Sequence, residues 1–317
     1  MGLRIAYVGN FGPEWSTEND VRLAFEHLGH EVVRLQENAV SVEQLREAAL
    51  DADLLLWTGT WGDAFELTDV LDLFHDCAKA GIPTATLHLD TFWVTGRGGR
   101  KWWREPMFHT AYLFTADGDH QAEWKALGKN HHWLRPGVRH SATTPGVFRE
   151  EFACDVAFVG SNGVGYHEDV WPYRRQLVDE LRAMCARNGW RFRNPGGDEP
   201  KVDRGAMNDF YASAKVTVGD SLCPLRERSR YWSDRAYEAP GRGGFLIMPE
   251  LPELAQDYDG LLPTYPWGKW QHLEFMIGEA LDDTGITHRT RLKCHAIAAE
   301  RHTYVNRVQE LLEVVGL

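Results

Sequence analysis

Short apolar runs alternate with amphipathic helical patterns along almost the whole chain, and this alternation restricts the possible folds more than any other feature. Leu3–Gly9 is an apolar run, and in Thr17–Leu28 the apolar residues recur at three- and four-residue intervals. The same pairing repeats in Asp53–Trp57 and Glu66–Ala80. Strands separated by helices form parallel sheets with helices on both faces, so the sequence predicts an α/β fold.

The alternation is interrupted between Arg135 and Phe152, where prolines and glycines replace the periodic pattern. This composition is typical of an interdomain linker, and a chain of 317 residues has room for two domains. We therefore expect Rossmann-like domains at 1–145 and 153–300, and a C-terminal helix at 301–317 that packs back on the first domain. Their parallel sheets would face an interdomain cleft, with the ligand at the carboxyl ends of the strands.

After the linker the alternation restarts. The pattern predicts a strand over Asp155–Gly160, a long helix over Glu168–Asn188 and a final helix over Thr287–Val315 that bends near His302–Thr303. A short helix at Ser233–Ala239 is followed by a strand at Gly244–Met248. The second half thus repeats the architecture of the first.

Composition indicates a folded protein that stays in water. The chain has 34 Lys and Arg against 46 Asp and Glu, a formal charge of −12, which disfavours uniform attraction to nucleic acid or anionic membrane but leaves room for a local basic patch. We find no apolar run of membrane-spanning length and no secretory signal pattern at the start. Five widely spaced cysteines without a C-x-x-C pair indicate reduced thiols, so we expect a cytoplasmic protein.

The most informative stretch runs from Tyr231 to Met248. It places Arg235 and Glu238 on a short helix directly before Gly243-Gly244 and an apolar strand. A carboxylate can accept hydrogen bonds from two hydroxyl groups, and a guanidinium can hold phosphate. On spacing alone, however, a surface i,i+3 pair and a plain turn at the glycines explain the pattern more readily than a ligand site does.

These residues also resemble a known family. Arg235-x-x-Glu238-Ala, then Gly243-Gly244-Phe-Leu, then Pro252-Glu-Leu254 are similar to the C-terminal domain of CgeB-like glycosyltransferases, relatives of the family 4 sugar transferases. Val156-Ala-Phe-Val-Gly-Ser161 and Arg301-His-Thr-Tyr304 resemble the opening and the end of that domain. The resemblance implies a GT-B fold with an N-terminal acceptor-binding domain and a C-terminal nucleotide-sugar-binding domain.

The resemblance further implies transfer of a sugar from a nucleoside-diphosphate sugar to an acceptor, which could be modified DNA, a glycan or a protein. The donor would be a co-substrate, with no metal and no other cofactor. Alternatives on the same fold are a nucleotide-sugar epimerase or hydrolase, and a non-catalytic binding or assembly protein. The sequence leaves the donor sugar, the oligomeric state and the choice between retention and inversion open.

Roles in the donor site follow from the resemblance. Glu238 would hold the ribose, and Arg235, next to the helix start at Ser233, would stabilise the diphosphate as it leaves. Gly243 and Gly244 would let the backbone approach the donor. Retaining relatives carry a second Glu eight residues before the ribose Glu, where this chain has Arg230, which could face the diphosphate or belong to a solvated loop.

A glycine-rich turn follows the first strand of the second half. Ser161, Asn162 and Gly163 could place backbone N–H groups against a phosphate or sugar, or could form a plain turn. The motif matches neither a P-loop nor a full dinucleotide-binding fingerprint.

On the acceptor side, Asp90 and His88 at the end of the fourth strand are candidates for a base that takes a proton from an acceptor hydroxyl. Asn10 and Gly12 lie in a strand-to-helix loop at the expected cleft edge. Trp93, Arg100, Lys101 and Trp102 belong to or border a basic aromatic segment, Arg97–Arg104. That segment suits a polyanionic acceptor such as nucleic acid, a lid over the donor, or an exposed loop.

We predict no metal site. Asp117-Gly-Asp119 spells the D-x-D of metal-dependent sugar transferases of a different fold, but Asp119 is well placed to cap a helix beginning near His120. The histidines form neither H-E-x-x-H nor a cysteine-paired site.

Overall fold

The computed structural model describes residues 2–59, 65–89, 104–163, 173–221, 230–251 and 253–317. The chain divides into two compact units. Unit 1 comprises Met1–Arg135 and Tyr304–Leu317, and unit 2 comprises Pro136–Thr303. The predicted division lay ten residues or more later, near 145–153, so the segment expected to be a linker belongs to unit 2.

Unit 1 is built from strands and helices that alternate along the chain. They are β1 (Arg4–Gly9), α1 (Thr17–His27), β2 (Glu31–Gln36), α2 (Val42–Leu50), β3 (Leu54–Trp57), α3 (Leu67–Ala80), β4 (Thr84–His88), β5 (Tyr112–Thr115), α4 (Gln121–Ala126) and β6 (His131–Trp133). All described pairings are parallel, in the order β2-β1-β3-β4-β5-β6. Apolar side chains fill both faces, as a parallel sheet requires.

Unit 2 repeats this architecture. Its elements are β7 (Cys154–Ala157), α5 (Arg174–Asn188), β8 (Phe192–Arg193), α6 (Met207–Ser213), β9 (Ala214–Val218), α7 (Arg235–Gly241), β10 (Leu246–Pro249), β11 (Thr264–Tyr265), α8 (Trp270–Asp282) and α9 (Thr284–Arg301). The described strands form a parallel sheet in the order β11-β10-β9-β7-β8.

Each sheet has a topological switch point. In unit 1, β1 lies between β2 and β3, and in unit 2, β7 lies between β8 and β9. The connections that leave the carboxyl ends of the neighbouring strands therefore diverge at β1 and at β7. In open α/β sheets this divergence opens a crevice at the carboxyl ends, where ligands bind.

The last helix, α10 (Tyr304–Val315), returns the chain to unit 1. It packs on α1, and it buries Val308, Leu311 and Leu312 in the same core as Ile5 and Phe25. The sequence pattern predicted one bent helix over Thr287–Val315. The structure instead has two helices, α9 and α10, separated at His302 and Thr303, where His302 donates its backbone N–H to Ala298 and Val138 pairs with Thr303.

Other boundaries differ by a few residues for local reasons. The strand predicted to reach Gly160 ends at Ala157, because the chain then enters the loop at the switch point. The short helix α6 and the two-residue strand β11 were not predicted, since neither is long enough to show a period. Within the described ranges, no helix has the length and apolarity needed to cross a bilayer.

We expect Leu311→Ala to lower the free energy of unfolding of unit 1 by about 2–5 kcal/mol, because it opens a cavity beneath α10. Leu50→Ala, at an exposed leucine of the same unit, should cost less than about 1 kcal/mol. Urea unfolding followed by circular dichroism measures both changes. Equal effects of the two substitutions would contradict the role given to α10.

Candidate active site

Three charged side chains converge at the carboxyl ends of β7 and β9, beside the switch point of unit 2. Asp220 follows β9, and its carboxylate accepts hydrogen bonds from Arg174 Nε at 2.7 Å and from Arg174 Nη2 at 3.3 Å. It also accepts from Arg235 Nη1 at 3.3 Å. Arg174 and Arg235 are the first residues of α5 and α7, so one carboxylate ties together the starts of two helices and the end of a strand.

Because these side chains are buried, removing one of them would leave a charge without its partner in surroundings that water scarcely reaches. The side chains of Asp220 and Arg174 are 2% and 3% exposed, and that of Arg235 is 18% exposed. Burial lowers the pKa of Arg235, but Asp220, Asp234, Tyr211 and Tyr231 together raise it by more, so its pKa lies above the ordinary value. Burial lowers the pKa of Arg174 despite Asp220. Since an arginine pKa starts above about 12, both guanidiniums remain charged at neutral pH.

Both guanidiniums also lie over one aromatic ring. Their Cζ atoms are 5.8 Å (Arg174) and 5.5 Å (Arg235) from the centroid of the Phe158 ring. Cation–π attraction at this range adds to the hydrogen bonds and limits rotation of the two planar groups. The cations are therefore held in place before any ligand arrives.

The backbone of the loop after β7 contacts the Arg235 guanidinium directly. Val159 accepts a hydrogen bond from Arg235 Nε at 2.7 Å through its backbone oxygen, and a Cβ at Gly160 would clash with Arg235 Nη2. Gly160 also has φ of 135°, so this position favours glycine for two reasons. The side-chain amide of Asn194 donates to the carbonyls of Phe158 and Gly160 and so holds this loop in place.

The predicted turn residues lie at this edge. Ser161 Oγ accepts from Arg174 Nη1 at 3.0 Å, and Asn162 donates to Asp198. Gly163 has φ of 72° and lies against the start of α5. None of the backbone N–H groups of Ser161, Asn162 and Gly163 donates to another residue that the structure describes. Such amides at the end of a strand are suited to an anion.

Ser233 lies just before α7, and Glu238 lies within it. The buried Ser233 hydroxyl accepts from Arg235 N at 3.2 Å and lies 3.4 Å from Arg235 Nη1. Glu238 binds Arg242 one turn later, with Arg242 Nε donating to Oε2 at 2.8 Å and Nη2 to Oε1 at 3.4 Å. A carboxylate has lone pairs beyond these two contacts, so Glu238 keeps capacity for a hydroxyl ligand.

The Gly243-Gly244 pair has a structural explanation within the protein. Gly243 has φ of 83°, and its backbone N–H donates to the Pro240 carbonyl. This turn terminates α7 just after Gly241. A Cβ at Gly244 would lie 2.9 Å from Tyr211 Cδ1 and 3.0 Å from the Ala239 oxygen. Both glycines are buried, and the space beside Gly244 is filled by this chain's own atoms. Helix termination and close packing therefore account for the pair without a ligand.

Arg230 pairs with a carboxylate that does not belong to the cluster. It forms an ion pair with Glu253, and both side chains are well exposed. Exposed pairs of this kind contribute at most about 1 kcal/mol, and the contact of Arg230 with a diphosphate stays a prediction.

The acceptor-side candidates lie in unit 1. His88, the last residue of β4, is buried, and its ring packs edge-to-face on Phe108 at 5.7 Å. Asn10 Oδ1 accepts from Gln36 Nε2 at 3.1 Å and from Gly12 N at 3.4 Å, so it holds the β1–α1 loop together. The candidates Asp90, Trp93, Arg100, Lys101 and Trp102 lie outside the described residues.

The Asp117-Gly-Asp119 prediction needs a correction. No side chain caps α4, whose N-cap residue is His120, so Asp119 does not have the capping role expected of it. Asp119 instead donates its backbone N–H to Asp117 Oδ1 at 3.0 Å, which closes a turn. Across the described ranges, no group of three or more His, Cys, Asp or Glu is arranged to hold a metal ion.

Thiol chemistry does not fit the described cysteines. Burial raises the pKa values of Cys154, Cys185 and Cys294 to about 12. A nucleophilic cysteine needs a thiolate, which burial in apolar surroundings disfavours.

Arg174 and Asp220 were missed by the sequence analysis. Asp220 directly follows the apolar strand and Gly219, which is a recognisable strand-end position for a functional carboxylate. Arg174 carries no such signal, because its partner lies 46 residues away in sequence.

Part of the chain is similar to a family of known proteins. Residues 173–313, somewhat under half of the chain, match a family model described as glycosyl transferase-like, and this stretch contains Arg174, Asp220, Arg235 and Glu238. None of the curated proteins matches the sequence.

Solved structures share the fold over the full chain. An α-glucosyltransferase in complex with UDP and a 13-mer DNA containing an HMU base has a TM-score of 0.69 at 9% identity, with 100% of both chains covered. Anabaena HepE in complex with UDP and glucose has a TM-score of 0.58 at 13% identity, with 99% of both covered. A Listeria monocytogenes protein described as a UDP-N-acetylglucosamine 2-epimerase has 0.55 at 10%, with 100% of this chain and 96% of that one covered. The predicted GT-B fold of two parallel-sheet α/β domains is thereby confirmed.

We expect Asp220→Ala to lower the free energy of unfolding of unit 2 by about 3–5 kcal/mol, because it leaves two buried cations without their shared carboxylate. Asp179→Ala removes an exposed carboxylate that pairs with Arg182 in the same unit and should cost about 1 kcal/mol or less. Urea titration of both variants measures the difference. A loss at Asp220 no larger than that at Asp179 would show that the cluster does not hold these elements together.

Proposed function

We propose that this chain is a glycosyltransferase whose unit 2 binds a nucleoside-diphosphate sugar and whose unit 1 binds the acceptor. The observation that carries the proposal is the pair of fixed guanidiniums, Arg174 and Arg235, at the carboxyl ends of β7 and β9. The family match over residues 173–313 and the UDP in similar structures support it. The motif 235–246 supports a finer placement among CgeB-like enzymes related to family 4.

In this proposal the diphosphate lies over the loop after β7. Arg235 has the more exposed guanidinium and would contact the phosphates, while the N–H groups of Ser161–Gly163 would donate to phosphate oxygens. When the bond from the sugar to the diphosphate breaks, negative charge grows on the leaving oxygen. A guanidinium held in advance by Asp220 and Phe158 stabilises that charge without reorganising during the reaction.

Glu238 is proposed to bind the ribose of the donor. It lies one helical turn after Arg235 on α7, so the two side chains are on neighbouring positions of one helix face. Arg242 holds both Glu238 oxygens and thereby orients the carboxylate. Hydrogen bonds from two ribose hydroxyls to this carboxylate would be charge-assisted.

No metal is needed for the proposed donor site, because the two arginines supply the positive charge. The four cysteines that the structure describes are buried and form no disulfide with one another, which supports the proposal of a cytoplasmic enzyme. The catalytic base, for which Asp90 and His88 were considered, stays a prediction, as do the stereochemical outcome and the acceptor.

An epimerase or hydrolase of the same fold is the second candidate, because the Listeria protein described as a 2-epimerase has a similar structure. The two candidates differ in their products. A transferase moves labelled sugar to an acceptor, whereas an epimerase or hydrolase consumes the nucleotide sugar with no acceptor present. The family match favours the transferase.

Arg235→Gln should weaken UDP binding about 10- to 100-fold, since one charge-assisted contact contributes about 1.5–3 kcal/mol. Arg187→Gln is the matched control, because Arg187 lies on the same unit in an exposed pair with Glu274. Isothermal titration with UDP measures both. An unchanged affinity of the Arg235 variant would remove Arg235 from the site, and an absence of UDP binding by the unsubstituted chain would overturn the proposed donor.

The role of Glu238 is tested with paired ligands. The unsubstituted chain should bind UDP about tenfold or more tightly than 2′,3′-dideoxy-UDP, and Glu238→Gln should remove most of that preference, because a neutral amide replaces the carboxylate. The ratio of the two affinities cancels any general disturbance caused by losing the Arg242 pair. A preference that survives the substitution would assign Glu238 to structure alone.

A further inference from the structure

Asp234 is an exposed carboxylate beside the guanidinium that the proposed function assigns to the diphosphate. It directly precedes α7, and its Oδ1 atom lies 4.0 Å from Arg235 Nη1. Its side chain is 62% exposed, whereas those of Asp220 and Arg174 in the same cluster are almost fully buried. A ligand can therefore reach Asp234, and a negative charge at this place needs an explanation in a site proposed for an anion.

The usual reason for an aspartate before a helix does not apply to Asp234. A capping aspartate accepts a hydrogen bond from a backbone N–H of the first turn. The Asp234 side chain makes no such capping bond, and its backbone, with φ of −51° and ψ of −28°, is already helical. The Arg235 backbone N–H lies close to this carboxylate but donates to Ser233 Oγ at 3.2 Å. Helix capping therefore does not account for this residue.

The contact with Arg235 also uses little of the Asp234 carboxylate. At 4.0 Å the two groups are beyond hydrogen-bond distance, and Arg235 donates to Asp220 and Val159 at shorter range. Burial by the surrounding protein raises the pKa of Asp234 and Glu238 raises it further, against the attraction of Arg235. Because water still reaches most of the side chain, it stays ionised at neutral pH. A carboxylate has about four acceptor sites, so Asp234 keeps capacity for a ligand.

The position of Asp234 relative to Glu238 indicates which part of a donor it would meet. The Glu238 backbone N–H donates to the Asp234 carbonyl at 2.8 Å, so the two residues lie one turn apart on one helix face, with about 6 Å of rise between them. With the ribose at Glu238 and the diphosphate at Arg235, the sugar is attached to the far phosphate. A group attached to a phosphate held by Arg235 comes within reach of a carboxylate 4.0 Å from that guanidinium.

We propose that Asp234 determines the specificity for the donor sugar by accepting hydrogen bonds from its hydroxyl groups, and that this sugar is an uncharged hexose. The inference rests on the proposed function and deepens it. Hydrogen bonds from hydroxyl groups to a carboxylate are charge-assisted. The same charge repels a sugar that carries its own carboxylate and weakly opposes the diphosphate, so it favours binding only where hydroxyl groups satisfy it.

The test is isothermal titration of the whole chain with UDP, with three uncharged donors (UDP-glucose, UDP-galactose and UDP-N-acetylglucosamine) and with UDP-glucuronate. UDP-glucuronate differs from UDP-glucose only in a carboxylate that replaces the hydroxymethyl group, so this comparison isolates the charge of the sugar. The unsubstituted chain should bind at least one uncharged donor about fivefold or more tightly than it binds UDP-glucuronate, because Asp234 repels the added carboxylate.

Asp234→Asn should change two affinities in opposite directions. UDP should bind about two- to fivefold more tightly, because a like charge beside the diphosphate is removed. The preferred uncharged donor should bind more weakly, and its affinity relative to UDP should fall about tenfold, because an amide forms weaker hydrogen bonds with hydroxyl groups. Asp179→Asn removes an exposed carboxylate of the same unit, so it is the matched control and should leave every ratio unchanged.

An unchanged ratio between the uncharged donor and UDP in the Asp234 variant would overturn the inference, as would a preference of the unsubstituted chain for UDP-glucuronate. Equal weakening of UDP and of the uncharged donor would assign Asp234 to the positioning of Arg235 and would overturn it too. The UDP titration separates the two levels of the argument. If UDP fails to bind the unsubstituted chain, the proposed function fails. If UDP binds and the Asp234 results are negative, the specificity inference alone fails.

Discussion

A single buried carboxylate organises the site in unit 2. Asp220 accepts hydrogen bonds from Arg174 and Arg235 in surroundings with almost no access to water. A buried ion pair of this kind contributes little net stability compared with apolar packing, since removing charges from water costs several kcal/mol per ion. It does fix geometry, because moving either arginine leaves an uncompensated charge. The positions of α5, α7 and the loop after β7 therefore depend on Asp220.

Parallel topology explains why these groups meet at all. Every strand of a parallel sheet ends at the same edge, so loops that are far apart in sequence deliver their first polar residues to one place. Both units use this geometry, but with opposite electrostatics. In unit 2 the edge at the switch strand carries two guanidiniums and amides that no described residue uses, whereas in unit 1 it carries Glu18 and Asp20 and amides already bonded to side chains.

The sequence predicted the architecture because hydrophobic periodicity is a local property. Helices such as Thr17–His27 and Val42–Leu50 were located within a residue, since a serine caps each of them before the apolar pattern begins. Arg235 was identified through the resemblance of the Arg235-x-x-Glu238 and Gly243-Gly244 motif to a known family, since its spacing alone also fits a surface pair. Arg174 and Asp220 were not, because their interaction joins residues 46 apart and nothing local marks either as a partner of the other. The packing role of Gly244 could not be predicted either, because Tyr211, which fills the space beside it, lies on another helix.

The two arginines are not equivalent, and the difference in exposure divides their roles. Arg174 is buried and donates two hydrogen bonds to Asp220 and one to Ser161. Its guanidinium is therefore engaged by contacts within the protein. Arg235 donates to Val159 and Asp220 but keeps a larger part of its surface open. An incoming diphosphate would therefore meet Arg235, while Arg174 shares the Asp220 charge that would otherwise neutralise Arg235 completely. Asp234 also lies 4.0 Å from Arg235 Nη1, but its side chain is 62% exposed and screened by water, so the buried part of the cluster has two cations around one carboxylate and keeps positive charge for the ligand.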